Sequence, residues 1–155
     1  MNKIVSLDRL KNITPKIVAK KIVLVGGCFD LFHFGHLKLL QSAKKEGDFL
    51  IIALESDEFI KKRKVREPIH LQNQRAEILA SISYVDLIIK LPLFKSDKEY
   101  YELVGLIKPK LIAVTEEDEQ LENKRKQAKL VGAKVVVVTS LIKNLSSKEI
   151  IKKFL

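Results

Sequence analysis

Cysteine is nearly absent: the 155 residues hold one, Cys28. That excludes a disulfide framework or a multi-cysteine zinc site within the chain, and it fits a reducing cytoplasm. Long apolar runs are also missing. Lysine or another polar residue interrupts each stretch well short of the ~20 residues a membrane span needs. The opening Met1-Asn2-Lys3-Ile4-Val5-Ser6 lacks the apolar core of a signal peptide. Six glycines and four prolines never gather with serine into a linker, no repeat or low-complexity tract appears, and the length suits one domain. Aromatic residues are few, 6% of the chain, and none interleaves the basic run Lys61-Lys62-Arg63-Lys64-Val65-Arg66, so stacked bases and hence nucleic acid are disfavoured as its partner.

Positive charge is what the chain has in excess. Twenty-nine Lys and Arg face 19 Asp and Glu, a formal charge of +10, while 46% of residues are apolar. This is the balance of a soluble globular chain rather than a disordered one. It implies an anionic partner, and composition does not distinguish nucleic acid, a lipid surface and a small phosphorylated molecule.

Short apolar runs at 21–25, 49–54, 85–89, 111–114 and 134–138 predict five buried strands. Helical spacing fills 35–45, a charged stretch from about residue 57, 71–83, 97–107, 118–131 and 146–154, with Gly47 stopping the first of these helices. The alternation predicts a Rossmann-like, doubly wound α/β fold: a five-stranded parallel sheet with helices on both faces. Residues 1–20 read as an amphipathic lead-in broken at Pro15, and residues 21–155 as the single domain. Ligands of such sheets bind beyond the carboxyl ends of the strands where the strand order reverses, so the loop after the first strand is where chemistry is expected.

That loop reads Gly26-Gly27-Cys28-Phe29-Asp30-Leu31-Phe32-His33-Phe34-Gly35-His36. Two glycines at a strand end are expected to allow a tight turn and close approach of a phosphate. Two of the chain's three histidines flank Gly35 at a predicted helix start, where free N–H groups and the helix dipole favour an anion. Singly, either histidine reads as a surface or capping residue. Together, behind a strand, they read as paired hydrogen-bond donors to phosphate oxygens. Two histidines without a third ligand make a poor zinc site.

Gly27-Cys28-Phe29-Asp30 followed by His33-Phe34-Gly35-His36 resembles the signature of the cytidylyltransferase-like nucleotidyltransferases, Rossmann-like relatives of the class I aminoacyl-tRNA synthetase core. The resemblance runs from residue 22 onward. It implies transfer of a nucleoside monophosphate from a nucleoside triphosphate to a phosphorylated small-molecule acceptor, with pyrophosphate released and Mg²⁺ bridging phosphate oxygens. It implies a catalytic role for His33, His36 and Lys44, and nucleotide binding by Gly26, Gly27, Cys28, Phe29, Asp30 and Gly35. A second match, Arg66 to Asp86, is similar to the segment in which a Gln-Arg pair opens a helix; Arg75, with Asp30, is its acceptor-binding candidate. A third, Leu145-Ser146-Ser147-Lys148-Glu149, resembles the Ser/Thr pair that holds phosphates at the last helix. Each later match has an ordinary reading as well. Ser146 with Glu149 three residues on is a capping pattern, Arg75 suits a solvated helix, and Lys44 lies among other lysines. The basic run reads as a solvated face or as a cationic lid over the triphosphate.

Among acceptors, the chain is similar to heptose-1-phosphate adenylyltransferase domains, which favours ATP and a sugar 1-phosphate. It is also similar to glycerol-3-phosphate cytidylyltransferases and, more faintly, to phosphopantetheine adenylyltransferases and archaeal-type FAD synthetases. Thr115-Glu116-Glu117-Asp118-Glu119 departs from the Gly-rich stretch of the sugar enzymes, and reads as the first turn of a helix; Leu141-Ile142-Lys143-Asn144 lacks the Arg of the glycerol-phosphate pattern. A binding-only protein on the same fold is the alternative outside enzymes, and the resemblance implies a homodimer.

Overall fold

The computed structural model describes residues 2–140 and 146–154. Six parallel strands, β1 (Ile4–Ser6), β2 (Ile22–Gly27), β3 (Phe49–Leu54), β4 (Leu87–Lys90), β5 (Leu111–Thr115) and β6 (Lys134–Thr139), form one sheet in the order β1-β4-β3-β2-β5-β6. Helices α1 (Leu10–Ile17), α2 (Phe34–Lys45), α3 (Asp57–Phe59), α4 (Gln72–Ala80), α5 (Asp97–Ile107), α6 (Leu121–Val131) and α7 (Ser147–Phe154) connect and flank them. Strands β2 to β5 are buried on both faces, which is why they read as continuous apolar runs. One cluster packs Leu24, Ile51 and Ile89 against Leu10, Val104 and Ala128. The other packs Val25, Ile52 and Ile88 against Leu40, Ala43 and Leu79. No helix among the described residues is long and apolar enough to cross a membrane.

The sheet has six strands where periodicity predicts five. The added strand comes from the lead-in: Ile4, Val5 and Ser6 pair with Ile88, Ile89 and Lys90. Three residues are too few for an alternation to register. Pro15 does not break the lead-in either; it lies inside α1. The amide it lacks would bond the carbonyl of Lys11, and both residues are exposed, so water can satisfy that carbonyl. Leu10 and Ile17 of the same helix are buried in the core.

The charged helix expected from residue 57 starts there, at α3, but does not stay α-helical. After α3 the chain widens into a π-type turn, Ile60–Lys64, and stops at Val65 in the left-handed region, φ 55° and ψ 43°. The acidic stretch 116–119 leads into α6, and Asp118 accepts from the Gln120 amide (2.8 Å) and pairs with Lys124 (2.6 Å).

Strand order reverses at β2. Its ladder with β3 runs through Gly27↔Leu54, whereas its ladder with β5 ends at Leu24↔Ile112. The carboxyl ends of β2 and β5 therefore separate, opening the crevice in which such sheets hold ligands.

Candidate active site

Both glycines lie within β2 rather than in the turn beyond it. A Cβ on Gly27 would meet the Phe29 ring at 3.1 Å, whereas one on Gly26 would have Ala53 O, 4.0 Å away, as its neighbour. A side chain at Gly27 would press on that ring, and Gly26 leaves open space beside the strand end. The sharp turn is made instead by Phe29 (φ 48°) and Leu31 (φ 52°). Left-handed geometry costs a non-glycine residue roughly 1–2 kcal/mol, a strain that concentrates at functional sites. The burial of Phe29 among the apolar residues beneath the loop offsets it.

The turn delivers His33 to the N-cap of α2. Its Nδ1 accepts from the amides of Gly35 (3.0 Å) and His36 (3.4 Å), while His36 Nδ1 accepts from the His33 amide (3.3 Å). This is a capping box built from imidazoles. The rings stack with centroids 3.7 Å apart, and Phe29 and Phe32 sit 5.0 and 5.5 Å from the His36 ring. The capping reading and the donor reading of these histidines are therefore one arrangement. With Nδ1 accepting, the proton of each neutral ring resides on Nε2, on the far side from the helix backbone. Burial, then the neighbouring His33, pushes His36 down to about 3 against the pull of Asp30, and burial lowers His33 as well. Near neutral pH the pair offers two uncharged N–H donors at the positive end of a helix, Gly35 lying between them.

A second helix end reaches the same loop. Ser147 Oγ donates to the carbonyls of Asp30 and Leu31, so the start of α7 docks on the turn. Ser146 Oγ accepts from the Glu149 amide at 3.1 Å and is the cap of α7. Leu145 of that motif, and residues 141–144 ahead of it, lie outside the described residues.

Three expected site residues have other roles. Lys44 stands at the end of α2 opposite the histidines, eight residues or about 12 Å along the helix from His36. Its Nζ bonds Asp86 Oδ2 (2.5 Å) and the Asp48 carbonyl (2.7 Å), beside the amino ends of β3 and β4, and so braces the wrong edge of the sheet for phosphate contact. Arg75 is fully buried and donates to the carbonyls of His70 (3.0 Å), Cys28 (2.6 Å) and Glu55 (2.9 Å) and to Asp57 Oδ1 (2.7 Å). It clamps the ends of β2, β3 and α4 rather than facing an acceptor. Asp30 is buried and accepts from Arg66 (2.6 Å) and from the amides of Ile69 and His70 (2.9 Å each). Burial would raise its carboxyl, but these donors outweigh it and hold it below the usual range. It anchors the segment after the basic turn to the histidine loop. The Cys28 thiol is half-buried and pushed up to about 11, burial outweighing the field of Lys64.

Two further features lie near this loop, the cations of the basic run, which the sequence offers as a lid, and Glu55, which no motif marks. Arg63 and Lys64 of the π-type turn lie close enough to act on Glu55 and Cys28 respectively. They supply cationic charge at the site in place of Lys44. Glu55, directly after β3, is buried and takes the Tyr100 hydroxyl on Oε1 at 2.7 Å. No spacing rule connects positions 55 and 100; only the sheet brings them together.

The expected Mg²⁺ has no protein cage here. Among the described residues no group of three or more His, Cys, Asp or Glu side chains converges, and both Asp30 oxygens already accept from protein donors. An ion carried on the triphosphate would belong to the substrate.

Residues 24–153 match the family model described as cytidylyltransferase-like. The chain is 39% identical over 111 residues to the bifunctional protein HldE of Campylobacter fetus, covering 71% of this chain and 23% of that protein. It is 38% identical over 117 residues to the FAD synthase of Pyrococcus horikoshii, covering 75% of this chain and 77% of that enzyme. The chain thus spans about a quarter of the HldE relative and about three quarters of the FAD synthase. A lipopolysaccharide core biosynthesis protein from Thermoplasma volcanium superposes with a TM-score of 0.62 at 25% identity, covering 81% of this chain and 98% of that one. A pantoate-beta-alanine ligase from Francisella tularensis superposes with 0.68 at 20% identity, covering 97% and 76%, a likeness of fold.

Proposed function

The chain belongs to the cytidylyltransferase-like family and is a nucleotidyltransferase, and on that premise we propose that it moves adenylate from ATP to a phosphorylated small-molecule acceptor, releasing pyrophosphate. An acceptor phosphate oxygen attacks the α-phosphorus in line; the new P–O bond forms as the bond to the β-phosphate breaks. Such a transfer needs positioning and charge neutralisation more than covalent help. The reciprocal cap of His33 and His36 is the observation that carries this reading, because it fixes two Nε2–H donors at a helix amino terminus. They take the charge that grows on the α- and β-phosphate oxygens. The amino end of α7 and the cations Arg63 and Lys64 bear the rest of the triphosphate. Arg75 and Asp30 act by holding the loop.

The acceptor favoured is a sugar 1-phosphate, in line with the HldE relative. A second reading, FMN as acceptor, is favoured by the FAD synthase relative, most of whose length this chain spans. Both products carry adenylate, which supports ATP over CTP. The test is pyrophosphate release from ATP or CTP with Mg²⁺ and a panel of acceptors: hexose and heptose 1-phosphates, FMN, glycerol 3-phosphate and 4′-phosphopantetheine. Release that requires both ATP and one class of acceptor is expected. Nucleotide binding without release in every combination overturns the proposal.

A further inference from the structure

One acid sits among the cations at the carboxyl edge of the sheet, and every part of it but one atom is held. The Glu55 amide donates to the carbonyl of Gly27 (3.0 Å), and its own carbonyl accepts from Arg75 (2.9 Å), which also holds Cys28. Its Oε1 accepts from Tyr100. Its Oε2 is buried and has no hydrogen-bond partner among the described residues. Buried carboxylate oxygens are rarely left unpaired, and where one is, a ligand is a common reason. Glu55 is 7% exposed and fixed at backbone and side chain, so the unpaired oxygen is held in place rather than free to find its own partner.

We propose that Glu55 recognises the acceptor by accepting a hydrogen bond, through Oε2, from a hydroxyl close to the acceptor's reactive phosphate. The inference rests on the transfer reading given above. Position argues for the acceptor rather than the nucleotide. In-line transfer puts the acceptor and the departing pyrophosphate on opposite sides of the α-phosphorus. The crevice opens between β2 and β5, whereas Glu55 follows β3 on the other flank of β2. Charge argues for a neutral donor. A carboxylate repels a second anionic group, and Lys124, Arg75 and Arg63, which all act on Glu55, oppose a cationic one. A polyol or sugar hydroxyl is the group left. Burial outweighs Tyr100 and these cations and leaves the Glu55 carboxyl above its usual range, as expected of an acid without a full ion-pair partner.

The experiment is steady-state kinetics on the full chain and on its Glu55→Ala, Glu55→Gln and Tyr100→Phe variants, with ATP and the best acceptor of the panel, beside an analogue lacking the neighbouring hydroxyl. Expected for Glu55→Ala is an acceptor KM raised about 10–100-fold, the effect of losing a hydrogen bond to a charged group. The KM for ATP should change less than threefold or so, kcat should fall less than KM rises, and the deoxy analogue should not distinguish the variant from the parent. Glu55→Gln keeps the volume and carries the test if the alanine variant fails to fold. An unchanged acceptor KM overturns the proposal. So does a rise confined to ATP, which would put Glu55 on the nucleotide. An effect of Glu55→Ala that vanishes in an Arg63→Ala background also overturns it, since Glu55 would then act by holding Arg63. No release by the unmutated chain with any acceptor removes the transfer reading itself, and this inference with it; the unmutated chain distinguishes that failure from the others.

Discussion

A histidine whose Nδ1 accepts from the backbone carries its proton on Nε2 when neutral, and His33 and His36 are both held that way. His36→Ala is expected to lower turnover at least about a hundredfold, the scale of losing one preorganised donor to a developing oxyanion. The variant should still give a cooperative melt, because the loss to the fold is one cap and the ring contacts with His33, Phe29 and Phe32 at the edge of the core; pyrophosphate release and a thermal scan together check this. The low affinity of His36 for protons also has a consequence for stability. Its ordinary value of 6.5 falls to about 3 in the folded chain, so between those limits the unfolded chain binds more protons. Stability therefore rises with pH across that window and is lost as pH falls through it. Urea midpoints from pH 4 to 7 are expected to climb less steeply in His36→Asn than in the parent. Lys44 gives the contrasting case. Bonded to Asp86 and Asp48 at the opposite end of α2, it should tolerate Lys44→Met with turnover within about threefold and a stability loss near 1 kcal/mol, as for a part-exposed pair. A hundredfold loss of activity would return it to the site.

At the scale of elements, the segment between β3 and α4 is where sequence patterning and structure part company. A run of four cations reads as a helix face or a solvated stretch. What forms is a short helix, a wide turn and a β-branched residue in left-handed geometry at Val65. Its partner explains why: Arg66 reaches Asp30, 36 residues earlier, and that bond sets where the turn must end. Val65 is exposed, so packing does not offset its strain. Val65→Asn, which tolerates this geometry, is expected to raise stability by about 1 kcal/mol in urea unfolding. An unchanged or lowered midpoint would show that the geometry carries no strain. Strands β2 to β5 and α2 were legible because burial on both faces leaves continuous apolar runs and because the histidine motif is contiguous. The second half of the site was not. Arg75 meets Cys28 across 47 residues and Ser147 meets Asp30 across 117, and no local pattern records such partners.

Across the whole molecule, the lead-in belongs to the core. β1 covers the open edge of β4, and an uncovered edge invites pairing with another chain. Val5, Leu10 and Ile17 are buried, each worth about 1.5–3 kcal/mol. Their sum is comparable with the ~5–15 kcal/mol of a whole domain. Removing residues 1–17 is therefore expected to abolish cooperative unfolding and promote aggregation, read by circular dichroism melts and size exclusion. A truncated chain melting at the parent's temperature would make the lead-in an appendage after all.

The sequence by itself determined the parallel α/β order and the histidine pair that caps α2, because buried strands and a helix start with its own caps are local matters of periodicity and neighbouring residues. Only the tertiary structure decided which cations and acids lie near the histidine loop. Lys44 and Arg75 became supports, and Arg63, Lys64 and Glu55 came to lie near Cys28, because the direction of a side chain at the sheet's edge depends on strand order and on partners tens of residues away.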